Sequence, residues 1–175
     1  LQLSKVRDAS TSEETYMEVI RGKTAMLFEA SSHSAAVLAG ADEVQTEALR
    51  VFGDHLGVAF QLMDDLLDYR GDAQAMGKNV GDDLAEGKPT LPLIHAMREG
   101  TPAQAELVRK AIQQGGSQDL ESIRAAVEAA GSLDYTAQLA RHYAEKAIQC
   151  LSTLPASTYR DALTELTRFA VARSI

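Results

Sequence analysis

The chain has 175 residues, of which 45% are hydrophobic and 24% charged, the composition of an ordinary globular protein long enough to bury a core. Its formal net charge of −8 argues against nucleic-acid binding and against an electrostatic anchor on a membrane. No apolar run approaches the roughly 18 residues of a membrane span, so we expect no stable membrane insertion. A single cysteine is compatible with a reducing compartment, and we expect a cytoplasmic location. The single cysteine, Cys150, lies between Ile148 and Leu151 in a helical pattern, which predicts a buried apolar side chain rather than a nucleophile.

Helix signals recur along the whole sequence and alternating strand patterns are scarce, so we predict an all-α fold for a single domain over residues 1–175. The segment Thr11-Ser-Glu-Glu14 is predicted to form a capping box before a helix that reaches about Leu38, where Gly40 ends it. Asp42 is predicted to cap the next helix, which extends to about Tyr69.

Residues 71–90 contain four glycines and no sustained apolar periodicity, which predicts a loop or a broken helix. The segment carries Lys78, Asp82, Asp83 and Lys88, and its length is typical of a functional loop rather than a simple connection. Five further helices are predicted near residues 91–99, 102–114, 117–130, 134–153 and 157–173, with Thr101 as the cap of the second of these.

Residues 61–68 of the second predicted helix, Gln-Leu-Met-Asp-Asp-Leu-Leu-Asp, combine three carboxylates with leucines. At about 100° per residue, Gln61, Asp64, Asp65 and Asp68 share one side of the helix. Asp64 and Asp68 are one turn apart, so when both are ionised they repel each other and destabilise the helix by about 0.2–0.5 kcal/mol. This repulsion predicts a cation against the stripe.

Aspartates at positions i, i+1 and i+4 offer hard oxygen ligands from adjacent turns, which suits Mg²⁺ bound through a few carboxylates, water and substrate phosphates. A transition metal is disfavoured, because the four histidines are scattered and no Glu-x-x-His sequence indicates a di-iron site. The alternative is a solvated acidic helix face, and the spacing alone does not decide between the two interpretations.

Lys23 is the second signal, because the residues around it form an apolar face at helical spacing: Tyr16, Val19, Ile20, Met26, Leu27 and Ala30. A lysine in such a face either extends its stem to a nearby polar edge or points into a cavity that binds an anion. The adjacent Thr24 offers a hydroxyl donor to the same anion.

The glycine-rich segment 77–90 is the third signal, because it carries Lys78 and Lys88 and is similar to a flexible phosphate-binding loop. It lacks the Gly-x-x-x-x-Gly-Lys-Ser/Thr sequence of a P-loop, and surface lysines are usually only solvated. Taken together, a carboxylate stripe for Mg²⁺, a lysine in an apolar face and a basic loop indicate an apolar substrate that carries a polyphosphate.

These segments resemble the second aspartate-rich region of the trans-isoprenyl (polyprenyl) diphosphate synthases. The matching sequences are Phe60-Gln-Leu-Met-Asp-Asp-Leu-Leu-Asp68, Gly77-Lys78, Gly81-Asp-Asp-Leu84 and Glu86-Gly-Lys-Pro-Thr90. Gly22-Lys-Thr-Ala-Met-Leu-Phe28 is similar to the lysine-threonine helix of the family, and residues 88–97 are most similar to bacterial octaprenyl diphosphate synthases. The resemblance implies the C-terminal helices of the isoprenoid (terpenoid) synthase bundle.

The resemblance also implies roles for the matching residues. Mg²⁺ would be held by Asp64, Asp65, Asp68 and Asp82, with Asp64 as the direct ligand. Diphosphate would be bound by Lys23, Thr24, Gln61, Lys78 and Lys88. The implied reaction is the head-to-tail condensation of isopentenyl diphosphate with an allylic diphosphate, expected to be farnesyl diphosphate, in a homodimeric enzyme. Its expected product is a long-chain, octaprenyl-type diphosphate for the side chain of a quinone such as ubiquinone.

Members of the family also carry an earlier aspartate-rich motif and a Gly-Gly-Lys-x-x-Arg-Pro segment, and neither occurs in these 175 residues. The resemblance therefore implies the C-terminal portion of a synthase without its N-terminal portion, which we expect to be inactive or nearly so by itself. Three alternatives remain: a non-catalytic subunit of a heteromeric prenyl synthase, a class I terpene cyclase and a helical scaffold with an acidic surface. The cyclase is disfavoured, because the later helices show no convincing Asn/Ser/Glu metal motif.

Overall fold

The computed structural model describes residues 6–70, 81–115 and 120–172, and every regular element in these ranges is helical, which confirms the predicted all-α fold. The α-helices in chain order are α1 (Glu13–Ile20), α2 (Met26–Leu38), α3 (Glu43–Arg70), α4 (Asp82–Ala85), α5 (Leu91–Glu99), α6 (Pro102–Gln114), α7 (Leu120–Ala129), α8 (Ser132–Cys150) and α9 (Thr158–Ala172). A π-helical turn, Arg21–Ala25, joins α1 to α2, and a 3₁₀ turn, Leu151–Thr153, follows α8. None of the described helices combines the length and the apolar character needed to cross a bilayer.

Several helix ends follow directly from local capping chemistry. The predicted limits of α5 and α6 are confirmed, and the Thr101 side chain accepts the backbone N–H of Gln104 while the Gln104 side chain accepts the N–H of Thr101. Before α3, the Asp42 side chain accepts the N–H of Gln45 at 2.8 Å. Each such cap satisfies backbone donors that have no partner within the helix, which stabilises a helix by about 1 kcal/mol.

The predicted capping box at the start of α1 is wrong. The cap is Ser12, whose hydroxyl accepts the backbone N–H of Thr15 at 3.2 Å. The Thr11 hydroxyl instead donates to the carbonyl oxygen of Asp8 at 2.8 Å. Adjacent Thr and Ser residues are both suitable caps, so the sequence alone could not decide between these positions.

The chain forms two compact units, and the first consists of residues 1–19 and 64–137 with Ile175. Within it, α5, α6 and α7 contact one another. The largest fully buried aliphatic side chains of this unit are Leu66, Leu84, Leu91, Leu93, Val108, Ile112, Ile123 and Val127. Each of them contributes roughly 1.5–3 kcal/mol through removal of apolar surface from water.

The second unit consists of residues 20–63 and 138–174. Its core cluster contains Phe52, Leu56, Ala147, Leu151 and Ala170. Cys150 packs against this cluster, which agrees with the predicted apolar character, but it is half-buried rather than buried; partial burial raises the pKa of its thiol. Several large apolar side chains of this unit are exposed in the described structure: Met26, Leu27, Val37, Leu38, Val44, Tyr159, Leu166 and Phe169.

The π-helical turn changes the face on which Lys23 lies. A π turn replaces i→i−4 hydrogen bonds by i→i−5 bonds, so it inserts a residue into the helical repeat and rotates the following side chains. As a result Met26 and Leu27 are 60% and 71% exposed, and Lys23 is exposed as well. The predicted continuous apolar face around Lys23 is therefore wrong, because the 3.6-residue period does not continue through the turn.

Candidate functional site

The aspartate-rich part of α3 is buried rather than solvated. Asp65 and Asp68 are 3% and 6% exposed and Gln61 is 6% exposed, whereas Asp64 is half-buried. Carboxylates are buried in proteins only where hydrogen bonds or charges compensate the lost water. The interpretation as a solvated acidic face is therefore wrong for Asp65 and Asp68, and their partners define the site.

The Tyr16 side chain on α1 provides one of these partners. Its hydroxyl donates to Oδ2 of Asp65 at 2.6 Å, and Tyr16 is itself only 4% exposed. Burial, followed by the negative charge of Asp65, raises the pKa of Tyr16 well above its usual range, so the hydroxyl stays protonated. The sequence placed Tyr16 only in an apolar face, because its contact with Asp65 joins residues 49 positions apart.

The carboxylate of Asp68 is bound by the backbone that starts α4. The N–H of Gly81 donates to the carbonyl oxygen of Asp68 at 3.0 Å, and the N–H of Asp83 donates to its Oδ2 at 3.3 Å. Burial and the charges of Asp83 and Asp82 raise the pKa of Asp68 to about 6, although the backbone N–H groups oppose this shift. Asp82 is half-buried at the first position of α4.

Lys88 lies next to this helix and is bound by two carboxylates. Its Nζ is 2.8 Å from Oδ1 of Asp83 and 2.7 Å from Oε2 of Glu86. Burial by itself would lower the pKa of Lys88, but the hydrogen bonds to Asp83 and Glu86 outweigh burial and raise it. The sequence identified Lys88 and favoured Asp82, yet the structure shows that Asp83 connects Lys88 to Asp68.

Gly87 sets the position of Lys88 in the chain. Its φ of +73° is a left-handed backbone conformation, and an added Cβ would lie 2.8 Å from Cγ of Arg7 and 2.9 Å from the carbonyl oxygen of Ile112. A residue with a side chain would therefore be strained and would clash. Lys78, the other predicted lysine of this segment, lies outside the described residues.

In the second unit, the structure brings together Thr24 and Gln61. The Thr24 hydroxyl donates to Oε1 of Gln61 at 2.6 Å. The close approach of the π turn to α3 depends on Gly57, where an added Cβ would lie 2.5 Å from Cα of Ala25. π turns within helices are frequent at functional sites, which is consistent with a role for the Lys23–Thr24 segment.

The donor chemistry of the α3 aspartates fits Mg²⁺. In the ranges that the structure describes, no three side chains of His, Cys, Asp or Glu stand close enough to hold a metal ion by themselves. Two of the α3 carboxylates accept hydrogen bonds within the protein, Asp65 from the Tyr16 hydroxyl and Asp68 from the Asp83 N–H. Mg²⁺ usually takes one or two protein carboxylates together with water and phosphate oxygens, and half-buried Asp64 is available as such a ligand.

Comparison with known sequences points to one family. The family model described as Polyprenyl synthetase matches residues 1–130. An octaprenyl diphosphate synthase of Haemophilus influenzae is 51% identical over 174 residues, which cover 99% of this chain and 53% of that protein. The octaprenyl diphosphate synthase of Escherichia coli is 52% identical, with 99% of this chain and 54% of that protein covered. The chain thus spans about half the length of these curated relatives.

Solved structures give the same result for the fold. A polyprenyl synthase of Caulobacter crescentus, complexed with calcium and isoprenyl diphosphate, superposes with a TM-score of 0.92 at 45% identity, over 98% of this chain and 53% of that one. A geranylgeranyl pyrophosphate synthetase of Pyrococcus horikoshii superposes with a TM-score of 0.89 at 33% identity, over 99% of this chain and 53% of that one. The chain therefore has the all-α isoprenoid synthase fold and belongs to the polyprenyl synthetase family.

Proposed function

We propose that this chain carries a diphosphate-binding and Mg²⁺-binding part of a polyprenyl diphosphate synthase. The observation that supports this most directly is the connection from buried Asp68 through half-buried Asp83 to half-buried Lys88, which joins a carboxylate that suits Mg²⁺ to a cation that suits diphosphate. The relatives named octaprenyl diphosphate synthase support a long-chain, octaprenyl-type product. The proposed reaction adds isopentenyl diphosphate, head to tail, to an allylic diphosphate such as farnesyl diphosphate, for the side chain of a quinone.

The proposed roles follow the chemistry of each side chain. When bound, Mg²⁺ would supply positive charge next to the diphosphate oxygens, held directly by Asp64 and supported by Asp65, Asp68 and Asp82. Lys23, Lys78 and Lys88 bind the diphosphate, with Thr24 and Gln61 in support. The lysine ammonium groups stabilise the charge that develops on the diphosphate as its bond to the allylic carbon breaks.

The bonding changes balance without an external oxidant or reductant. The allylic C–O bond breaks and its electron pair leaves with the diphosphate. The double bond of isopentenyl diphosphate then supplies the electron pair of the new C–C bond, and loss of a proton to the released diphosphate restores a double bond. Lysine cations thus lower the barrier at the first step, and apolar helix surfaces exclude water from the allylic cation.

Binding of inorganic pyrophosphate in the presence of Mg²⁺ tests this function on the 175-residue chain. We expect isothermal titration calorimetry to detect binding that depends on Mg²⁺ and that Asp64→Ala reduces at least tenfold. The control is Asp161→Asn, which removes an exposed carboxylate from the first turn of α9. Binding that is absent from the unchanged chain, or equal in both variants, would contradict the proposal.

We further propose that the 175 residues by themselves do not complete the condensation, because the earlier aspartate-rich motif does not occur among them. Incubation with farnesyl diphosphate, labelled isopentenyl diphosphate and Mg²⁺ tests this point. We expect no labelled polyprenyl product, and rapid product formation would refute the expectation.

Association with further protein is the last part of the proposal, and the exposed apolar side chains of α2, α3 and α9 support it. We propose a homodimer. The second candidate is a subunit of a two-component synthase, which is favoured by a 30% identical relative named "Heptaprenyl diphosphate synthase component 2" from Bacillus subtilis. The mass of the complex purified from its native source distinguishes a complex of identical chains from a mixed one.

A further inference from the structure

We propose that Asp83 is a positioning residue that fixes Lys88 relative to Asp68. Its backbone N–H binds the Asp68 carboxylate, while its side chain binds the Lys88 ammonium. One residue thereby links the carboxylate side of the site to its cationic side. The inference rests on the proposed function and assigns a role to a residue for which the sequence predicted none.

The backbone of Asp83 is held by its position at the start of α4. Gly81 has a φ of +86° and donates its N–H to the Asp68 carbonyl oxygen at 3.0 Å, so the start of α4 lies directly beside the end of α3. The N–H of Asp83 then lies 3.3 Å from Oδ2 of Asp68. Backbone N–H groups at a helix start have no partner within the helix, so this hydrogen bond forms without breaking one inside α4.

Lys88 is attached to Asp83 through both main chain and side chain. The Lys88 N–H donates to the Asp83 carbonyl oxygen at 2.9 Å, and its Nζ contacts Oδ1 of Asp83 at 2.8 Å. A lysine ammonium has three N–H donors, of which Asp83 and Glu86 accept two, so the third can serve a diphosphate oxygen. A lysine that is ordered before binding loses less side-chain entropy when the ligand arrives.

Glu86 provides a matched comparison, because it is the second carboxylate on the same ammonium group. The Asp83 side chain is 22% exposed and the Glu86 side chain is 62% exposed. Ion pairs in contact with solvent are screened and contribute little to positioning, whereas a half-buried pair with a hydrogen bond is better fixed. We therefore assign the ordering of Lys88 to Asp83.

Two arguments predict opposite effects of Asp83→Asn on the binding of an anion. If Asp83 only repelled the bound anion, removal of its negative charge would strengthen binding. The positioning role instead predicts that Asp83→Asn weakens binding of inorganic pyrophosphate, with Mg²⁺ present, about tenfold, while Glu86→Gln changes it less than threefold. Calorimetry on the 175-residue chain measures both, and circular dichroism establishes that the variants are folded.

A double-mutant cycle separates positioning from a general effect of charge or of metal affinity. In a Lys88→Ala background, Asp83→Asn is expected to have little further effect, because the residue that it positions is absent. An equal loss in both backgrounds, or tighter binding by Asp83→Asn alone, would overturn the inference.

Nuclear magnetic resonance of the Lys88 ammonium group tests positioning without a ligand, and so separates it from the proposed function. In the ligand-free chain, we expect slow hydrogen exchange at Nζ that is retained in Glu86→Gln and lost in Asp83→Asn. Retention in both variants overturns the inference whether or not pyrophosphate binds. Loss only in Asp83→Asn, in a chain that does not bind pyrophosphate, supports the positioning and contradicts the proposed function.

Discussion

Two regions of α3, its aspartate-rich C-terminal part and the part around Gly53 and Gly57, are stabilised by different physical means. At its C-terminal end, in the first unit, buried carboxylates are held by Tyr16 and by the start of α4. In the second unit, Gly53 and Gly57 let α2 and the π turn approach the α3 backbone. A polar network should respond to pH and to loss of a donor, whereas a glycine contact should respond to added volume. Substitutions in the two regions should therefore differ in their effects on stability and in the dependence of those effects on pH.

The largest effect is expected at Gly57. An alanine there places Cβ 2.5 Å from Cα of Ala25, so the π turn or α3 must move. Overpacking against backbone of this kind destabilises a protein by 1–3 kcal/mol or more, and we expect at least about 3 kcal/mol in the free energy of unfolding.

The matched control for Gly57→Ala is Gly22→Ala, because Gly22 lies in the π turn with nothing within 4 Å of an added Cβ. Alanine is a better helix former than glycine, so Gly22→Ala should leave stability unchanged or raise it by up to about 1 kcal/mol. Urea denaturation measures both variants. Equal losses at the two positions would show that the close approach at Gly57 is not the cause.

The second prediction concerns Asp68, whose folded-state pKa of about 6 exceeds the usual value of 3.8 for an aspartate. The folded chain therefore binds this proton more tightly than the unfolded chain. The tighter proton binding by Asp68 adds to the free energy of unfolding. This contribution is fully present below about pH 4 and is lost as pH rises through 6, and its size is at most about 3 kcal/mol.

Asp68→Asn removes this titration and keeps a side chain of similar shape. Its stability relative to the unchanged chain should rise between pH 4 and pH 6.5 and then become constant. Urea denaturation at several pH values gives this difference directly. A difference that stays constant with pH would mean that Asp68 titrates normally in the folded chain.

The sequence correctly predicted those features that depend on interactions between residues close together in the chain. The cap at Thr101 and the limits of α5 depend on neighbouring residues, so pattern and propensity placed them correctly. The π turn arises within a segment whose residues suit an ordinary helix, and it invalidated the predicted apolar face of Lys23. Asp82 and Asp83 have the same side chain, and what distinguishes Asp83 in the structure is its contact with Lys88, in which Nζ lies 2.8 Å from Oδ1 of Asp83.

The third prediction is a smaller loss at Tyr16. Tyr16→Phe removes the hydroxyl that donates to buried Asp65 at 2.6 Å. Hydrogen bonds to charged groups are worth about 1.5–3 kcal/mol, so we expect a loss of about 2 kcal/mol.

Tyr135→Phe is the control for Tyr16→Phe. It removes a hydroxyl that donates to Glu13 at 2.7 Å, but in a half-buried environment where water can replace it. Its loss should be below about 1 kcal/mol. Thermal and urea denaturation compare the two, and a larger loss at Tyr135 would reverse the ranking of the two hydrogen bonds.

The smallest effects are expected at Thr24 and Lys23. Thr24→Val removes the donor to Gln61 and should cost about 1 kcal/mol, whereas Thr24→Ser keeps the hydroxyl and should cost less. Lys23→Ala alters an exposed side chain, so its effect on stability should stay within about 0.5 kcal/mol. Denaturation in urea checks all three variants. When the stability of Lys23→Ala is unchanged as expected, weaker pyrophosphate binding by this variant reports a lost ligand contact, and unchanged binding removes Lys23 from the proposed site.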